Sequence, residues 1–407
     1  MTIARYQWAL VALLWVVALL NYLDRQVIFA VFPLLEKELH VTSLQLGLLG
    51  TAFLWVYGIL SPFGGWVADR FGRRRVILFS LAVWSAITWL TGHSRSYGEL
   101  AAARGLMGIS EACYLPAALA LISDYHGENT RARAVGLHQS GLYVGIAMGG
   151  IGGGWIGEHF GWRAAFFVLG AIGIVYALAL WPVLREAPVR NGGGHQADGA
   201  PFLASLEALW RSGPFRHLVV VNSLASLAYW CVYTWLALHL FERFHMSLTG
   251  AGFSSTFYIQ TASFGGILFG GWLADRWSRS HPRGRVWAQT IGLGAAGPFL
   301  FLAGFTDTQW VLLPCLVLFG LGRGFFDCNL MPVVCQIVSP GLRATAYGVL
   351  NLTSCIVGGA MAAAGGALKD TIGLGGAIEL SGLVLIAAAA GMFALRLPAA
   401  SQRSPGV

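Results

Sequence analysis

Long apolar stretches recur along the chain, and short segments that carry most of its charged residues separate them. A helix of about 20 apolar residues crosses the hydrocarbon core of a membrane. The pattern therefore predicts an all-α membrane protein with twelve transmembrane helices. The predicted spans are 8–30, 44–66, 76–93, 100–123, 134–156, 163–184, 217–240, 251–273, 286–305, 309–334, 345–367 and 373–395.

A polar segment over residues 185–215 follows the sixth span. It contains three consecutive glycines, Gly192 to Gly194, which suit a flexible loop. Apolar residues at helical spacing then predict a short amphipathic helix at the cytoplasmic membrane surface. The sequence thus divides into an N-terminal six-helix bundle (1–184), a cytoplasmic linker (185–215) and a C-terminal six-helix bundle (216–407).

The two six-helix segments share a repeat. Gly64–Arg70 reads GGWVADR and Gly270–Arg276 reads GGWLADR, so the two copies differ at one position. Each copy follows the second span of its segment. A repeat at equivalent topological positions indicates duplicated, pseudo-symmetric bundles.

The composition supports the membrane prediction. Hydrophobic residues make up 56% of the 407 residues and charged residues 11%, whereas about a quarter of an ordinary soluble domain is charged. These values exclude a disordered chain and argue against a soluble enzyme. The sequence also contains no nucleophile–base motif, phosphate-binding loop or metal-ligand spacing. It therefore predicts a protein that is not an enzyme and binds no metal.

The net charge of +8 reflects the predicted topology. With both termini in the cytoplasm, 18 of the 26 Lys and Arg residues lie on the cytoplasmic side and five on the opposite side. This is the positive-inside bias of multi-pass proteins. The distribution predicts an inner (plasma) membrane protein embedded in the lipid bilayer, with no nucleic-acid partner.

Two acids and two arginines fall inside the predicted helices 1 and 4. Asp24 and Arg25 are adjacent on helix 1, while Arg104 and Glu111 lie two turns apart on one face of helix 4. Charges at membrane depth are costly and mark functional sites. Opposite charges on these two helices can pair, and an incoming carboxylate would compete with an acid for an arginine. The released acid could take a proton, which would couple anion binding to proton binding.

The segment from Gly65 to Arg74 resembles the signature loop between helices 2 and 3 of the major facilitator superfamily. Arg104–Gly108 and Gly161–Arg163 resemble two further motifs of that family. The resemblance covers the whole chain and implies the superfamily fold, secondary active transport by alternating access, and a monomer. It also implies a loop that holds the two halves together in the outward-open state. The residues with this gating role are Gly65, Asp69, Arg70 and Arg73 and, in the repeat, Asp275 and Arg276.

Within that superfamily the sequence resembles the anion:cation symporter branch, which carries sugar acids and other organic anions. The matching segments are Asn21–Arg25 on helix 1, Phe53–Tyr57 on helix 2 and Arg104–Ala112 on helix 4. The resemblance implies proton-coupled symport of a small organic anion. The absence of an obvious Na⁺ cage in the sequence favours H⁺ over Na⁺ as the coupling ion, and no other cofactor is expected.

The resemblance also assigns roles to individual residues. The arginines matching Arg25 and Arg104 bind the substrate carboxylate, and the acids matching Asp24 and Glu111 carry protons. Positions that hydrogen-bond the substrate match Tyr22, Tyr57 and Gln139.

Other polar residues in the spans give weaker indications of a role in function. Trp230 and Asn351 are candidates for contacts with a sugar substrate. Arg323 and Asp327 can pair one turn apart on helix 10, in a structural or a functional role. His138 can titrate near neutral pH but is better explained as a hydrogen-bonded core residue.

Two transporter classes remain as alternatives. A Spinster-like lysophospholipid transporter also has an Asp-Arg pair on helix 1 and an arginine and a glutamate on helix 4. A drug:proton antiporter is a weaker alternative, because its helix 5 carries a Gly-Pro motif and the predicted helix 5 here has many glycines and no proline.

Overall fold

The computed structural model describes residues 3–186, 202–339 and 342–397, and the regular secondary structure in these residues is helical. The helices are α1 (Ile3–Ala30), α2 (Phe32–Leu39), α3 (Ser43–Phe71), α4 (Arg73–Thr91), α5 (Tyr97–Glu111), α6 (Tyr114–Tyr125), α7 (Glu128–Phe160), α8 (Trp162–Leu180), α9 (Phe202–Arg211), α10 (Gly213–Arg243), α11 (Leu248–Ser280), α12 (Gly284–Phe305), α13 (Gln309–Ile337) and α14 (Arg343–Ala394).

The predicted all-α class is confirmed, and every predicted span overlaps a helix, although 76–93 and 163–184 extend a few residues past the ends of α4 and α8. In the described part of the chain, eight helical segments are long and apolar enough to cross a membrane by length and composition alone, and one of them, Tyr97–Tyr125, includes both α5 and α6. Another of these segments lies in α14, which contains the predicted span 345–367 and all but the last residue of 373–395. Gly373, the first residue of the latter span, is non-helical.

The predicted fourth span is broken into α5 and α6. Glu111 is the last residue of α5, and Pro116 lies in the first turn of α6. Proline has no N–H to donate to the carbonyl of Ala112 four residues earlier, so the helix is interrupted there. The break places a predicted proton-carrying acid at a helix terminus.

Local sequence signals set several helix boundaries. Thr42 and Gln45 form a reciprocal capping box at the start of α3, which satisfies two otherwise unpaired amides. Gly72 separates α3 from α4 with φ of 87°, a conformation that a residue with a Cβ adopts at a cost. The glycine of the signature loop therefore allows the sharp turn between these helices.

A row of glycines brings α7 against α1. Added Cβ atoms at these positions would collide with backbone or side-chain atoms of α1. The four-residue spacing keeps the row on one helix face, and small residues there allow close helix contact. This contact fixes α1, which carries Asp24 and Arg25. The glycines are Gly141, Gly145, Gly149 and Gly153, and the facing residues are Trp15, Leu19, Leu23 and Val27.

Contacts group the chain into two units. In the described part of the chain, the first consists of residues 3–186, 233–260 and 359–371, and the second of residues 202–232, 261–339, 342–358 and 372–397. The division into two six-helix bundles with a linker rests on the sequence repeat and stays a prediction.

Within the first unit, hydrogen bonds join early and late parts of the sequence. Thr51 Oγ1 donates to Gly359 O at 2.6 Å, and Trp235 Nε1 donates to Ala362 O at 3.0 Å. Lys369 Nζ lies 2.7 Å from Glu242 Oε1 and 3.5 Å from Glu36 Oε1. Within the second unit, α12 and α13 cross closely at Gly292 and Gly322.

The motif Gly161–Arg163 joins α8 to the segment that follows α1. Trp162 Nε1 donates to Glu38 Oε2 at 2.7 Å, and Arg163 forms an ion pair with the same carboxylate. Burial opposes ionisation of Glu38, but the hydrogen bonds from Arg163 and Trp162 outweigh it, so the pKa of Glu38 lies below its usual value.

Candidate substrate and proton site

A buried ion pair joins α1 to α5. Arg25 Nε lies 2.5 Å from Glu111 Oε2, and the two side chains are 11% and 0% exposed. Breaking such a pair by removing one partner leaves an uncompensated charge in a low-dielectric interior. An arriving anion that takes over the arginine would have the same effect on Glu111.

Aromatic rings surround the Arg25 guanidinium. Its carbon lies 4.6 Å from the ring centre of Tyr22, 4.9 Å from that of Phe53 and 4.4 Å from that of Tyr57. Rings at these distances attract a cation electrostatically. Together with Glu111 they hold the arginine in place.

Arg104 lies beside the same ring system. Its guanidinium carbon is 4.7 Å from the centre of the Phe53 ring, and Nη1 contacts Met107 Sδ at 3.3 Å. The residue is 1% exposed. In the described part of the chain, neither Nε nor Nη2 of Arg104 has a hydrogen-bond partner. A buried guanidinium with unused donors is suited to bind a carboxylate.

Gly108 permits this arrangement. A Cβ at this position would lie 2.8 Å from Phe53 O and 3.1 Å from Tyr57 N. The glycine therefore lets α5 approach the backbone of α3 one turn after Arg104. Phe53 lies next to both arginines as a result, and its ring stacks 5.7 Å from that of Tyr57, which contacts Arg25.

The Asp24 side chain makes its hydrogen bond to α4. Thr88 Oγ1 of α4 donates to Asp24 Oδ2 at 3.2 Å, and Asp24 is 1% exposed. Among the described residues, no ion pair joins Asp24 to Arg104. Of the expected pairs between helices 1 and 4, the structure thus forms Arg25–Glu111, while Asp24 uses a neutral donor. Thr88 was missed because one threonine in an apolar helix carries no sequence pattern.

His138 lies in the protein interior with 0% exposure. Its Nε2 is 2.9 Å from Tyr114 Oη, and that hydroxyl donates to Leu14 O at 3.0 Å. The tyrosine proton is therefore used, and Nε2 of a neutral histidine donates to the tyrosine oxygen. Gln139, the next residue, is half-buried.

The predicted gating residues are found at helix ends. Arg70 lies 6.0 Å from the ring centre of Trp66, and Arg73 forms an ion pair with Asp124. The surroundings of Gly65 and the side chain of Asp69 lie outside the described part of the structure. In the repeat, Asp275 Oδ1 is 2.6 Å from Arg285 Nη2, and Arg276 is exposed.

The remaining predicted residues belong to the second unit. Arg323 Nε lies 3.3 Å from Asp327 Oδ2, and its guanidinium carbon is 5.5 Å from the ring centre of Tyr229. Trp230 lies against Gly358, and Asn351 is half-buried.

A family model for the Major Facilitator Superfamily matches residues 14–363. The chain belongs to the Major Facilitator Superfamily. It is 26% identical over 418 residues to a probable galactarate/D-glucarate transporter of Bacillus subtilis, covering 93% of this chain and 90% of that protein. It is 29% identical over 384 residues to protein spinster homolog 1 of Homo sapiens, covering 86% of this chain and 70% of that protein.

The superfamily fold is found in a solved structure as well. A crystal structure of a bacterial homolog of the human lysosomal transporter Spinster, in an inward-facing and occupied conformation, matches with a TM-score of 0.82 and 23% identity over 95% of this chain and 96% of that one. The predicted resemblance to the superfamily and to its sugar-acid symporter branch is confirmed. This member of the superfamily is a multi-pass membrane transporter and not an enzyme.

Proposed function

We propose that this transporter carries an organic anion, a sugar acid or another carboxylate, together with protons by alternating access. The buried Arg25–Glu111 pair beside Arg104 carries the proposal. The similarity to a probable galactarate/D-glucarate transporter supports a sugar acid as the anion.

The arriving carboxylate binds Arg104, whose buried donors have no partner among the described residues. It also competes with Glu111 for Arg25. A carboxylate that loses its arginine in a buried site is costly in its charged form and becomes neutral by taking a proton. Anion binding and proton uptake at Glu111 therefore favour each other. Asp24, held by Thr88, takes a second proton in the same cluster.

Other residues complete the substrate contacts. The hydroxyls of Tyr22 and Tyr57 and the amide of Gln139 bind the polar groups of the anion. Trp230 and Asn351 contribute from the second half of the sequence. Asp69, Arg70 and Asp275 act in gating. The protein works as a monomer in the inner membrane, with both termini in the cytoplasm.

Uptake into proteoliposomes with an imposed inward proton gradient tests the proposal. Galactarate, glucarate, hexuronates and lactate are offered in parallel to the wild type and to Arg104→Gln. Gradient-stimulated uptake of one acid by the wild type, with loss in the variant, is the expected result. Uptake that ignores the proton gradient, or Arg104→Gln that transports normally, would overturn the proposal. Arg279→Gln, at an exposed arginine of α11, is the matched control.

A lysophospholipid is the second candidate substrate, because the chain is similar to human spinster homolog 1 along most of its length. The same proteoliposomes, offered a lysophospholipid in place of the acids, separate the two candidates. Movement of the lysophospholipid alone replaces the sugar-acid proposal, and the arginines would then bind a phosphate or another lipid group.

A further inference from the structure

A groove of about 850 Å³ lies on the first unit, outside the charged cluster. Its walls come from α3, α4 and α5 and from Trp181, just after α8. Several lining side chains are more than half exposed, among them Phe71, Phe79 and Leu106. Exposed aromatic and aliphatic side chains on a membrane protein face lipid.

The floor of the groove provides no free polar group. Ser80 Oγ donates to Ser110 O at 2.8 Å, and Ser110 Oγ donates to Met107 O at 2.9 Å. Both hydroxyl protons are therefore used within the protein. The rest of the lining is apolar apart from one thiol and two arginines at one end. Such a surface suits a hydrocarbon chain and does not suit a sugar acid.

The two arginines differ in their contacts. Arg74 Nη2 donates to Trp181 O at 2.6 Å and its Nε donates to Leu184 O, so this side chain is committed to the end of α8. Arg75 is exposed, and no described acidic side chain forms an ion pair with it. The groove thus has an apolar length and the exposed Arg75 at the end where α4 begins, while Glu186 Oε2 there accepts a hydrogen bond from Arg74 N at 3.1 Å.

We propose that this groove binds one anionic phospholipid of the bilayer, with an acyl chain along α4 and α5 and the phosphate at Arg75. A cation at the level of the lipid headgroups attracts anionic lipids. The positive-inside pattern predicts that this end of α4 faces the cytoplasm, where the headgroup of an inner-leaflet lipid lies. An anionic phospholipid matches both the apolar length of the groove and Arg75, because it has an apolar chain and an anionic headgroup.

The site is separate from the transported anion but contacts the same helix. Leu106 and Ile109 of α5 line the groove and are half exposed, whereas Arg104 and Glu111 are buried. A bound acyl chain therefore supports the outer side of the helix that carries the arginine and the acid.

Native mass spectrometry of the purified protein tests the proposal with phosphatidylglycerol and phosphatidylcholine of identical acyl chains. The wild type is expected to retain phosphatidylglycerol at about fivefold lower added lipid than phosphatidylcholine, since one arginine near anionic headgroups contributes roughly 1 kcal/mol. Arg75→Gln should remove this preference, while Arg279→Gln should keep it. Equal retention of the two lipids by the wild type, or an unchanged preference in Arg75→Gln, would overturn it.

A second pair of variants tests whether the lipid binds in the groove. Ile109→Trp fills the groove, and Ile172→Trp adds the same bulk at a comparably exposed position of α8 outside it. Retention of phosphatidylglycerol is expected to fall in Ile109→Trp only. Equal retention in both tryptophan variants would locate the lipid elsewhere and refute the proposal. A photo-crosslinking residue at position 109 should yield an adduct with the mass of a phospholipid, and an adduct with a protein chain would contradict it.

Discussion

Arg25 Nε and Glu111 Oε2 are 2.5 Å apart across the α1–α5 contact, and the carboxylate side chain is fully buried. The pair cancels two charges that would each be costly alone at this depth. It also leaves Arg104 as the cation without an acidic partner among the described residues. Arg104 therefore offers a buried cation where an anion is expected to bind, with Asp24 buried in the same cluster.

Glu111→Gln should keep the exchange of substrate across the membrane and lose the accumulation of substrate against a gradient. Glutamine imitates the protonated acid, so the variant should still exchange substrate across the membrane but no longer accumulate it against a gradient. Counterflow and proton-driven uptake in the same proteoliposomes measure the two activities. Glu207→Gln, at an exposed residue of α9, serves as the control. Proton-driven accumulation at the wild-type level in Glu111→Gln would contradict the role of this acid.

Phe53 lies within 5 Å of both guanidinium groups, at 4.9 Å from Arg25 and 4.7 Å from Arg104. Phe53→Leu keeps an apolar side chain and removes the cation–π contacts, each worth about 0.5–2 kcal/mol. Each lost contact is expected to raise KM roughly 2- to 30-fold, with a smaller effect on kcat. Phe63→Leu, at an exposed phenylalanine of α3, should leave KM unchanged. A KM for Phe53→Leu equal to that of the wild type would show that the ring does not position the arginines.

The glycine row of α7 predicts a contrast between two substitutions in one helix. A Cβ at Gly145 would collide with Leu19 O, whereas nothing lies within 4 Å of a Cβ at Gly152. Gly145→Ala should lower stability by about 1–3 kcal/mol, because overpacking forces the helices apart. Gly152→Ala should be neutral or slightly stabilising. Thermal unfolding followed by tryptophan fluorescence compares them, and equal melting temperatures would refute the close α1–α7 contact.

Much of this fold follows from the hydrophobic pattern, since apolar length and the positive-inside bias define the spans. Arg25, Arg104 and Glu111 were also identifiable, because charges are rare in apolar helices. The other contacts of the site depend on how the helices pack against one another. The contact of Phe53 with both arginines depends on the approach of α5 at Gly108, which no local pattern encodes. Likewise, the hydrogen bond from Thr88 to Asp24 requires the placement of α4 beside α1.

The contact between Glu158 and Thr249 predicts a pH dependence within the first unit. Glu158 Oε2 accepts hydrogen bonds from the backbone N of Thr249 at 2.9 Å and from its hydroxyl at 2.5 Å. These bonds lower the pKa of Glu158 below its usual value. The unfolded chain binds the proton more tightly, so the contact stabilises the fold above the ordinary glutamate pKa of about 4.3. That contribution is lost as the pH falls through the lowered pKa of the folded state.

Glu158→Gln should therefore unfold at a lower temperature than the wild type at pH 7, because the amide accepts weaker hydrogen bonds than the carboxylate. The difference should shrink as the pH falls below about 4.3, where the wild-type carboxylate also becomes neutral. Melting temperatures of both proteins in detergent over this pH range measure it, with Glu207→Gln as the control for a lost surface charge. A difference between wild type and Glu158→Gln that stays constant with pH would show that the ionised carboxylate does not stabilise the start of α11.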